Sequence, residues 1–335
     1  MISACPKPLH DAALHRRAGA ALALAGMLAV LPASGFDLEG HRGTRGLAPE
    51  NTLAAFRRAL AIGVTTLETD LGVTRDGVLV ISHERFLNPD LVRTPDGRWL
   101  PQKGPPIHTL TLAELARFDI GRTDSSTRYG QQFPEQQAVD GEHFPTLRQV
   151  FDLAKAHPTP VRLNIETKID PTYPDDTVDP ATFARLVVDA VHEAHVEDRV
   201  SVQSFDWRTL REVKKLDASI ATACLTIETN DSDNVKPSAS GASAWTAGLD
   251  LRDYGGSVPR LVHAAGCTIW SPLARNATPA TIAEAHALKL QVLPWTVNDP
   301  ATMARLIDQG VDGLITDYPD RLRKVMAEKG LPLPE

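Results

Sequence analysis

The run Val64-Thr65-Thr66-Leu67-Glu68-Thr69-Asp70-Leu71-Gly72-Val73-Thr74-Arg75-Asp76-Gly77-Val78-Leu79-Val80-Ile81-Ser82-His83-Glu84 decides the reading of this chain. Its first half is a strand written in Val, Thr and Leu, interrupted by two acids. Strand residues two apart project to the same face, so Glu68 and Asp70 stand side by side. Carboxylates held that close repel unless a proton or a cation sits between them. Thr74-Arg75-Asp76-Gly77 then reads as a hairpin turn, because Asp-Gly supplies positive-φ positions. A turn centred near Asp76 brings residue 83 back beside residue 70. A second histidine, in His41-Arg42-Gly43, precedes the acidic pair. Two acids and at least one imidazole therefore meet at one strand end, the outline of a metal-assisted acid–base site.

Working outward, short runs rich in Val, Ile, Leu and Thr recur near residues 38–42, 64–71, 161–167, 199–204, 220–227, 267–271, 291–297 and 313–316. Helical patterns separate most of them, at Asn51–Ile62, Pro180–His195, Trp207–Leu216, Thr278–Leu288 and Pro300–Gln309. Asn51 is placed to cap its helix, and Pro279 and Pro300 suit first-turn positions. Eight strands alternating with helices predict an α/β fold, a parallel (β/α)8 TIM barrel. Val78–Ser82 is a ninth strand, a hairpin partner outside the eight. Residues 85–107 and 122–145 break the pattern and form an insertion of about 85–145 between the second and third barrel strands. Helical patches fall at Thr111–Arg117 and, beyond it, Thr146–Ala156. Connections of such length usually have a function.

Composition sets the bounds. The chain has 335 residues, 42% hydrophobic and 23% charged, with a net charge of −7. That balance argues against nucleic acid and anionic membrane surfaces as partners. His15-Arg16-Arg17, an apolar run from Ala18 to Leu31, and Pro32-Ala33-Ser34-Gly35 have the layout of a secretory signal peptide. Residues 1–35 are accordingly expected to be removed, leaving a domain over 36–335 and a periplasmic or secreted protein. The apolar run is short for a membrane span, so no stable membrane insertion is expected after its removal. Cys224 and Cys267 lie in apolar runs and read as buried free thiols, although an oxidising compartment permits a bridge.

The ordered set His41-Arg42-Gly43, Ala48-Pro49-Glu50-Asn51-Thr52-Leu53-Ala54-Ala55-Phe56, Glu68-Thr69-Asp70, Thr74-Arg75-Asp76-Gly77 and His83 closely resembles the glycerophosphodiester phosphodiesterase family. Leu163-Asn164-Ile165-Glu166-Thr167-Lys168, Gln203-Ser204-Phe205, Trp295-Thr296-Val297-Asn298 and Gly313-Leu314-Ile315-Thr316-Asp317-Tyr318-Pro319 continue the match in order, from Asp37 to Arg323 overall. One departure is Glu84, where the family usually has Asp after the second histidine.

Strand-end position and chemistry select the candidate residues. Glu68, Asp70 and Glu166 form an all-oxygen set suited to one divalent cation, Ca²⁺ or Mg²⁺. Arg42 and Lys168 suit a phosphate, one as a fork and one as a point charge. His41 and His83 can serve as base and acid; the resemblance implies His41 as the base. It also implies that Gln203 contacts the glycerol phosphate. Trp295 could pack on glycerol carbons, or belong to the barrel core. The activity so implied is hydrolysis of glycerophosphodiesters to sn-glycerol 3-phosphate and an alcohol. A lysophospholipase D-type activity on lipids, a non-catalytic barrel binding phosphorylated polyols and a glycosidase are the alternatives. The last leaves both histidines and Lys168 unexplained.

Overall fold

The structure is a computed structural model describing residues 35–334. The expected leader, residues 1–35, lies outside the described residues except for Gly35. The described residues form nine strands: β1 Asp37–Gly40, β2 Thr66–Val73, β3 Leu79–Ile81, β4 Arg162–Thr167, β5 Val200–Ser204, β6 Ala221–Thr226, β7 Ile269–Pro272, β8 Gln291–Val292 and β9 Gly313–Thr316. The helices are α1 Leu53–Ile62, α2 Leu112–Leu115, α3 Leu147–Ala156, α4 Pro180–Ala194, α5 Trp207–Leu216, α6 Val258–Ala264, α7 Pro279–Ala287, α8 Pro300–Asp308 and α9 Pro319–Glu328. Eight strands run parallel in the order β8-β7-β6-β5-β4-β2-β1-β9, and β3 pairs antiparallel with β2. The seam between β8 and β9 is spanned by Asp312 N–Val292 O at 3.1 Å, Ile315 N–Pro294 O at 3.0 Å and Val297 N–Ile315 O at 2.9 Å. The result is a nearly closed (β/α)8 barrel, as the alternation predicts.

Period-2 alternation divides the side chains of each strand. Leu67 and Leu71 of β2 and Leu163 and Ile165 of β4 join Phe56, Ala59 and Phe151 of the helices in the main apolar cluster. Burying each Leu, Ile or Phe among them contributes about 1.5–3 kcal/mol. The intervening residues are polar: Glu39, Glu68, Asp70, Asn164 and Glu166, with Gln203 of β5, are all buried. They are linked, since Asn164 Nδ2 donates to Glu39 Oε2 at 2.9 Å and to Gln203 Oε1 at 3.0 Å. Gln203 Nε2 in turn donates to Glu68 Oε1 at 2.8 Å. A hydrogen-bonded chain thus crosses the barrel interior from β1 to the acidic pair.

Three details differ from the sequence expectation. Asn51 does not cap α1; Thr52 does, accepting from Ala55 N, while Asn51 adopts φ +57° and is drawn elsewhere by its side chain. Cys224 and Cys267 form a disulfide with a Cα–Cα distance of 5.9 Å, because the β6–β7 pairing holds those chain segments side by side. Helices α6 and α9 were not expected. The first is short for a periodic pattern, and the second follows the last strand.

The insertion is folded around its own small core, in which Val80 of β3 meets Leu87, Val92, Ile107, Leu115 and Ile120. It also reaches back over the barrel: Gln136 Nε2 donates to Arg45 O at 2.7 Å and Gln137 N to Leu47 O at 3.0 Å.

Candidate active site

Strand register assembles the site. Asp70 lies opposite Glu166 on β4, and Glu166 lies opposite Gln203 on β5. Glu68 and Asp70 share a face, as the spacing requires. The Thr74–Val78 turn closes with Thr74 N–Val78 O at 3.0 Å and Gly77 at φ +78°. Ser82 N donates to Asp70 O at 2.9 Å, which sets His83 beside the acidic pair. On the other side, β1 pairs with β9 so that Gly40 faces Thr316. The next residues along, His41 and Asp317, are thereby brought together.

The tight turn after β1 depends on Gly43. Its φ is +82°, and a Cβ there would stand 2.8 Å from the Ala55 carbonyl carbon. Arg42 itself takes φ +49°, an uncommon conformation for a side-chain-bearing residue. It is held by its N–H donating to Glu68 Oε2 at 2.8 Å and by its guanidinium donating to Glu50 Oε1 at 2.6 Å. Such strain concentrates at functional sites. Arg42 O accepts from Asn51 N at 3.0 Å. Asn51 Nδ2 donates to Asp70 Oδ2 at 2.9 Å, and its Oδ1 accepts from Thr69 at 3.1 Å.

His41 Nδ1 is 2.6 Å from Asp317 Oδ1, and its Nε2 is 3.9 Å from Glu68 Oε2. Asp317 also accepts a two-pronged contact from Arg45, at 2.9 and 3.1 Å, and a bond from Asn298 Nδ2 at 2.7 Å. Burial opposes its charge, yet His41 and Arg45 hold the carboxyl well below the usual range. His41 is lowered by burial and by Arg45, with Asp317 opposing. His83 is half-buried and bonds Glu84 Oε1 through Nδ1 at 3.0 Å. Burial, then Arg42 and Lys168, push His83 down to about 4 against the pull of Asp70 and Glu84.

Glu68, Asp70 and Glu166 each offer an oxygen, all within 4.8 Å of one another. Burial and the charges of Asp70 and Glu166 push Glu68 well above the carboxylate range. Burial and Asp70 lift Glu166 to about 7 despite Lys168. Burial likewise opposes ionisation of Asp70, but His83, Arg42, Lys168 and Asn51 hold it low. Asp70 Oδ1 is buried with no hydrogen bond and lies 3.7 Å from Lys168 Nζ, while Arg42 Nε stands 3.4 Å from Oδ2. Lys168 Nζ bonds Glu166 Oε1 at 2.7 Å. Three crowded carboxyls with one oxygen unbonded fit a hard divalent cation by charge and by donor type.

Of these groups His41, Arg42, Glu68 and Glu166 open on a cavity lined also by Arg45, His83, Gln203 and Trp295, with Asp70 beside both carboxyls and Lys168 bonded to Glu166. All nine residues singled out from the sequence therefore come together. Trp295 is half-buried, packs edge-on against Phe205 at 5.4 Å and donates its N–H to Ser271 O. Gln203 lines the cavity while its amide is engaged by Glu68 and Asn164. Sequence reasoning missed Arg45, Glu50, Asn51, Asp317 and Tyr129 as site residues. The Tyr129 hydroxyl bonds Glu50 and lies within reach of Arg42 and Arg45, so the insertion contributes directly to the site. The usable signal for three of these was their place in the ordered runs, Glu50-Asn51 and Thr316-Asp317.

A family model for the glycerophosphoryl diester phosphodiesterase family matches residues 41–321. The chain is 29% identical over 290 residues to a glycerophosphodiester phosphodiesterase of Caldanaerobacter subterraneus subsp. tengcongensis, covering 87% of this chain and 97% of that one. It is 30% identical over 291 residues to a glycerophosphodiester phosphodiesterase of Bacillus subtilis, covering 85% and 84%. A crystal structure from Silicibacter pomeroyi, of a protein assigned as a glycerophosphoryl diester phosphodiesterase, superposes with a TM-score of 0.79 at 34% identity, covering 89% of this chain and 95% of that one. A phosphodiesterase of Oleispira antarctica, solved with the product sn-glycerol-3-phosphate, shares the fold at 23% identity and a TM-score of 0.64, covering 88% and 97%.

Proposed function

Because the chain belongs to the glycerophosphoryl diester phosphodiesterase family and is an enzyme of that kind, we propose that it cleaves glycerophosphodiesters to sn-glycerol 3-phosphate and an alcohol, using two histidines and one divalent cation. The observation that carries this is the carboxylate triad lying within 4.8 Å, with His41 at 3.9 Å from Glu68 and His83 on the same cavity. Glu68, Asp70 and Glu166 would hold the cation, and their oxygen donors favour Ca²⁺ or Mg²⁺. When bound, it supplies neutralisation of phosphoryl oxygens.

The chain's own groups do the rest. Arg42 and Lys168 bind anionic phosphate oxygens by charge-assisted hydrogen bonds. Asp317 keeps a proton on His41 Nδ1, which leaves Nε2 free to accept one from the attacking oxygen. His83 donates a proton to the departing alkoxide. A phosphodiester anion offsets the Arg42 and Lys168 charges that depress His83, so substrate raises the proton affinity of the acid it needs. Trp295 packs against glycerol carbons, and Gln203 orients Glu68. The Leu38–Glu84 segment supplies both histidines and two of the three ligands. Export is part of the same proposal: residues 1–35 have signal-peptide layout, and the Cys224–Cys267 bridge suits an oxidising compartment.

Turnover of glycerophosphocholine by purified protein tests the proposal. Activity should vanish with EDTA, return with Ca²⁺ or Mg²⁺, and be lost in Glu166→Gln. Full turnover after EDTA treatment overturns the cation's role. Mass spectrometry of protein from its native host should find a mature chain beginning near Phe36, and an intact chain in cytosol overturns export.

A further inference from the structure

Glu39 of β1 has no part in the chemistry above. It borders a cavity at the amino-terminal end of the barrel, walled by Asp37, Arg162 and Gln291, the first residues of β1, β4 and β8. The side chain is 1% exposed. An apolar residue of similar size would stabilise that position at least as well, so the acid calls for a reason beyond packing. Its hydrogen bonds supply one. Asn164 spends both N–H groups of its amide, one on Glu39 Oε2 at 2.9 Å and one on Gln203 Oε1 at 3.0 Å, while its Oδ1 accepts from Ser201 Oγ at 3.0 Å. Gln203 Nε2 then donates to Glu68 Oε1 at 2.8 Å.

We propose that Glu39 is a positioning residue for the cation site: by accepting from Asn164 it fixes the direction of the Asn164 and Gln203 amides, and so keeps an N–H against Glu68. The inference rests on the phosphodiesterase reading and deepens it.

An amide can turn over, exchanging its oxygen for its nitrogen. The chain of bonds therefore has two polarities. In the observed one every donor meets an acceptor, from Ser201 through to Glu68. In the reverse one Asn164 Oδ1 would face Glu39 Oε2, and Gln203 Oε1 would face Glu68 Oε1. Oxygen would then oppose oxygen at both ends, and Glu39 supplies one of those two penalties. The other oxygen of Glu68 accepts from Arg42 N at 2.8 Å, a backbone group that has no such freedom. Gln203 is thus the adjustable donor to this carboxyl, and Glu39 sets it from two links away.

The role needs an acceptor and not a charge. Burial, with Asp37 adding to it, pushes the Glu39 carboxyl well above the usual range, and a neutral carboxyl still accepts through its carbonyl oxygen. A glutamine side chain can accept in the same way. A methionine fills similar space and cannot.

Isothermal titration calorimetry of cation-free protein with Ca²⁺, and separately with Mg²⁺, reads the site without turnover. Glu39→Met should bind the cation roughly tenfold more weakly than wild type, the lower end of what outer-shell partners of a metal ligand are worth. Its melting temperature should hold or rise, because a buried acid has been replaced by an apolar group. Glu39→Gln should restore wild-type affinity. A purely structural role predicts the opposite pattern, a lowered melting temperature with unchanged affinity. Asn164→Leu breaks the chain one link nearer Glu68 and should weaken binding by at least as much, which keeps the test open if Glu39→Met does not fold. Wild-type affinity in either folded variant, or a loss in Glu39→Gln equal to that in Glu39→Met, overturns the positioning role and leaves the cation site standing. Failure of wild type to bind either cation overturns the site, and with it the cation's part in the phosphodiesterase reading.

Discussion

Replacing Asp317 by Asn keeps the shape of the site and removes one charge. Asp317 is 1% exposed, and its Oδ1 lies 2.6 Å from His41 Nδ1. As His41 takes a proton at Nε2, an imidazolium forms about 4 Å from the carboxylate charge; at an effective dielectric of about 20 that attraction is worth about 4 kcal/mol. Its loss corresponds to about 10³-fold in rate. The amide adds a second defect, since its NH2 faces Nδ1 and favours the tautomer with Nε2 already protonated. Arg45 loses its fork partner and becomes an uncompensated cation near the imidazole. Both changes lower the proton affinity of His41, so the acid limb of the kcat/KM profile should move to lower pH as kcat falls. Steady-state kinetics on a p-nitrophenyl phosphodiester between pH 5 and 9 would read this, with circular dichroism checking the fold. A folded variant with full kcat and an unmoved acid limb would falsify the assignment of Asp317 as the residue that orients the base.

The two histidines should separate by leaving group. p-Nitrophenolate departs without a proton, so His83→Ala should lose about 10²–10⁴-fold on glycerophosphocholine and far less on the p-nitrophenyl ester. His41→Ala should be crippled on both, and equal losses for both variants on both substrates would refute the division. Cation binding should be pH-linked through Glu166, whose carboxyl is lifted to about 7 in the folded chain against about 4.3 unfolded. A raised acid costs stability as pH climbs through that interval, so the cation-free protein should weaken from pH 5 to 7 on this account. The gain in melting temperature on adding Ca²⁺ or Mg²⁺ should grow with pH, and a gain that shrinks with pH contradicts the ligand set. Gly43→Ala should lower both stability and turnover, because the added methyl meets the Ala55 backbone at 2.8 Å in a positive-φ turn; an unchanged melting temperature would show that the turn relaxes freely.

What could be read without coordinates was local in the chain. Glu68 and Asp70 share a face through strand period alone, and His83 returns to Asp70 through the twelve residues 71–82, whose Asp-Gly turn is self-evident. Barrel strands announced themselves by composition. Asp317 did not, because its partner His41 lies 276 residues away and only the β1–β9 pairing joins them. Tyr129 sits in an irregular segment with no periodicity to place it. Asn51 has the composition of a helix cap, but competing hydrogen bonds to Asp70 and Thr69 take its side chain, and Thr52 caps the helix. The disulfide required knowing that Cys224 and Cys267 stand on neighbouring segments, which spacing alone does not give.

The His41–Asp317 contact joins the first barrel strand to the last. Asp317 lies 276 residues after His41, so a nascent chain that has not yet reached it lacks the carboxylate proposed to steer the base. Turnover is therefore a report on ring closure. In refolding from denaturant, helical ellipticity and tryptophan burial can return while the ring is still open, since neighbouring β/α units need only local contacts. Hydrolysis should return last, with the rate constant of β1–β9 docking, and the lag between the two signals times the closing of the barrel.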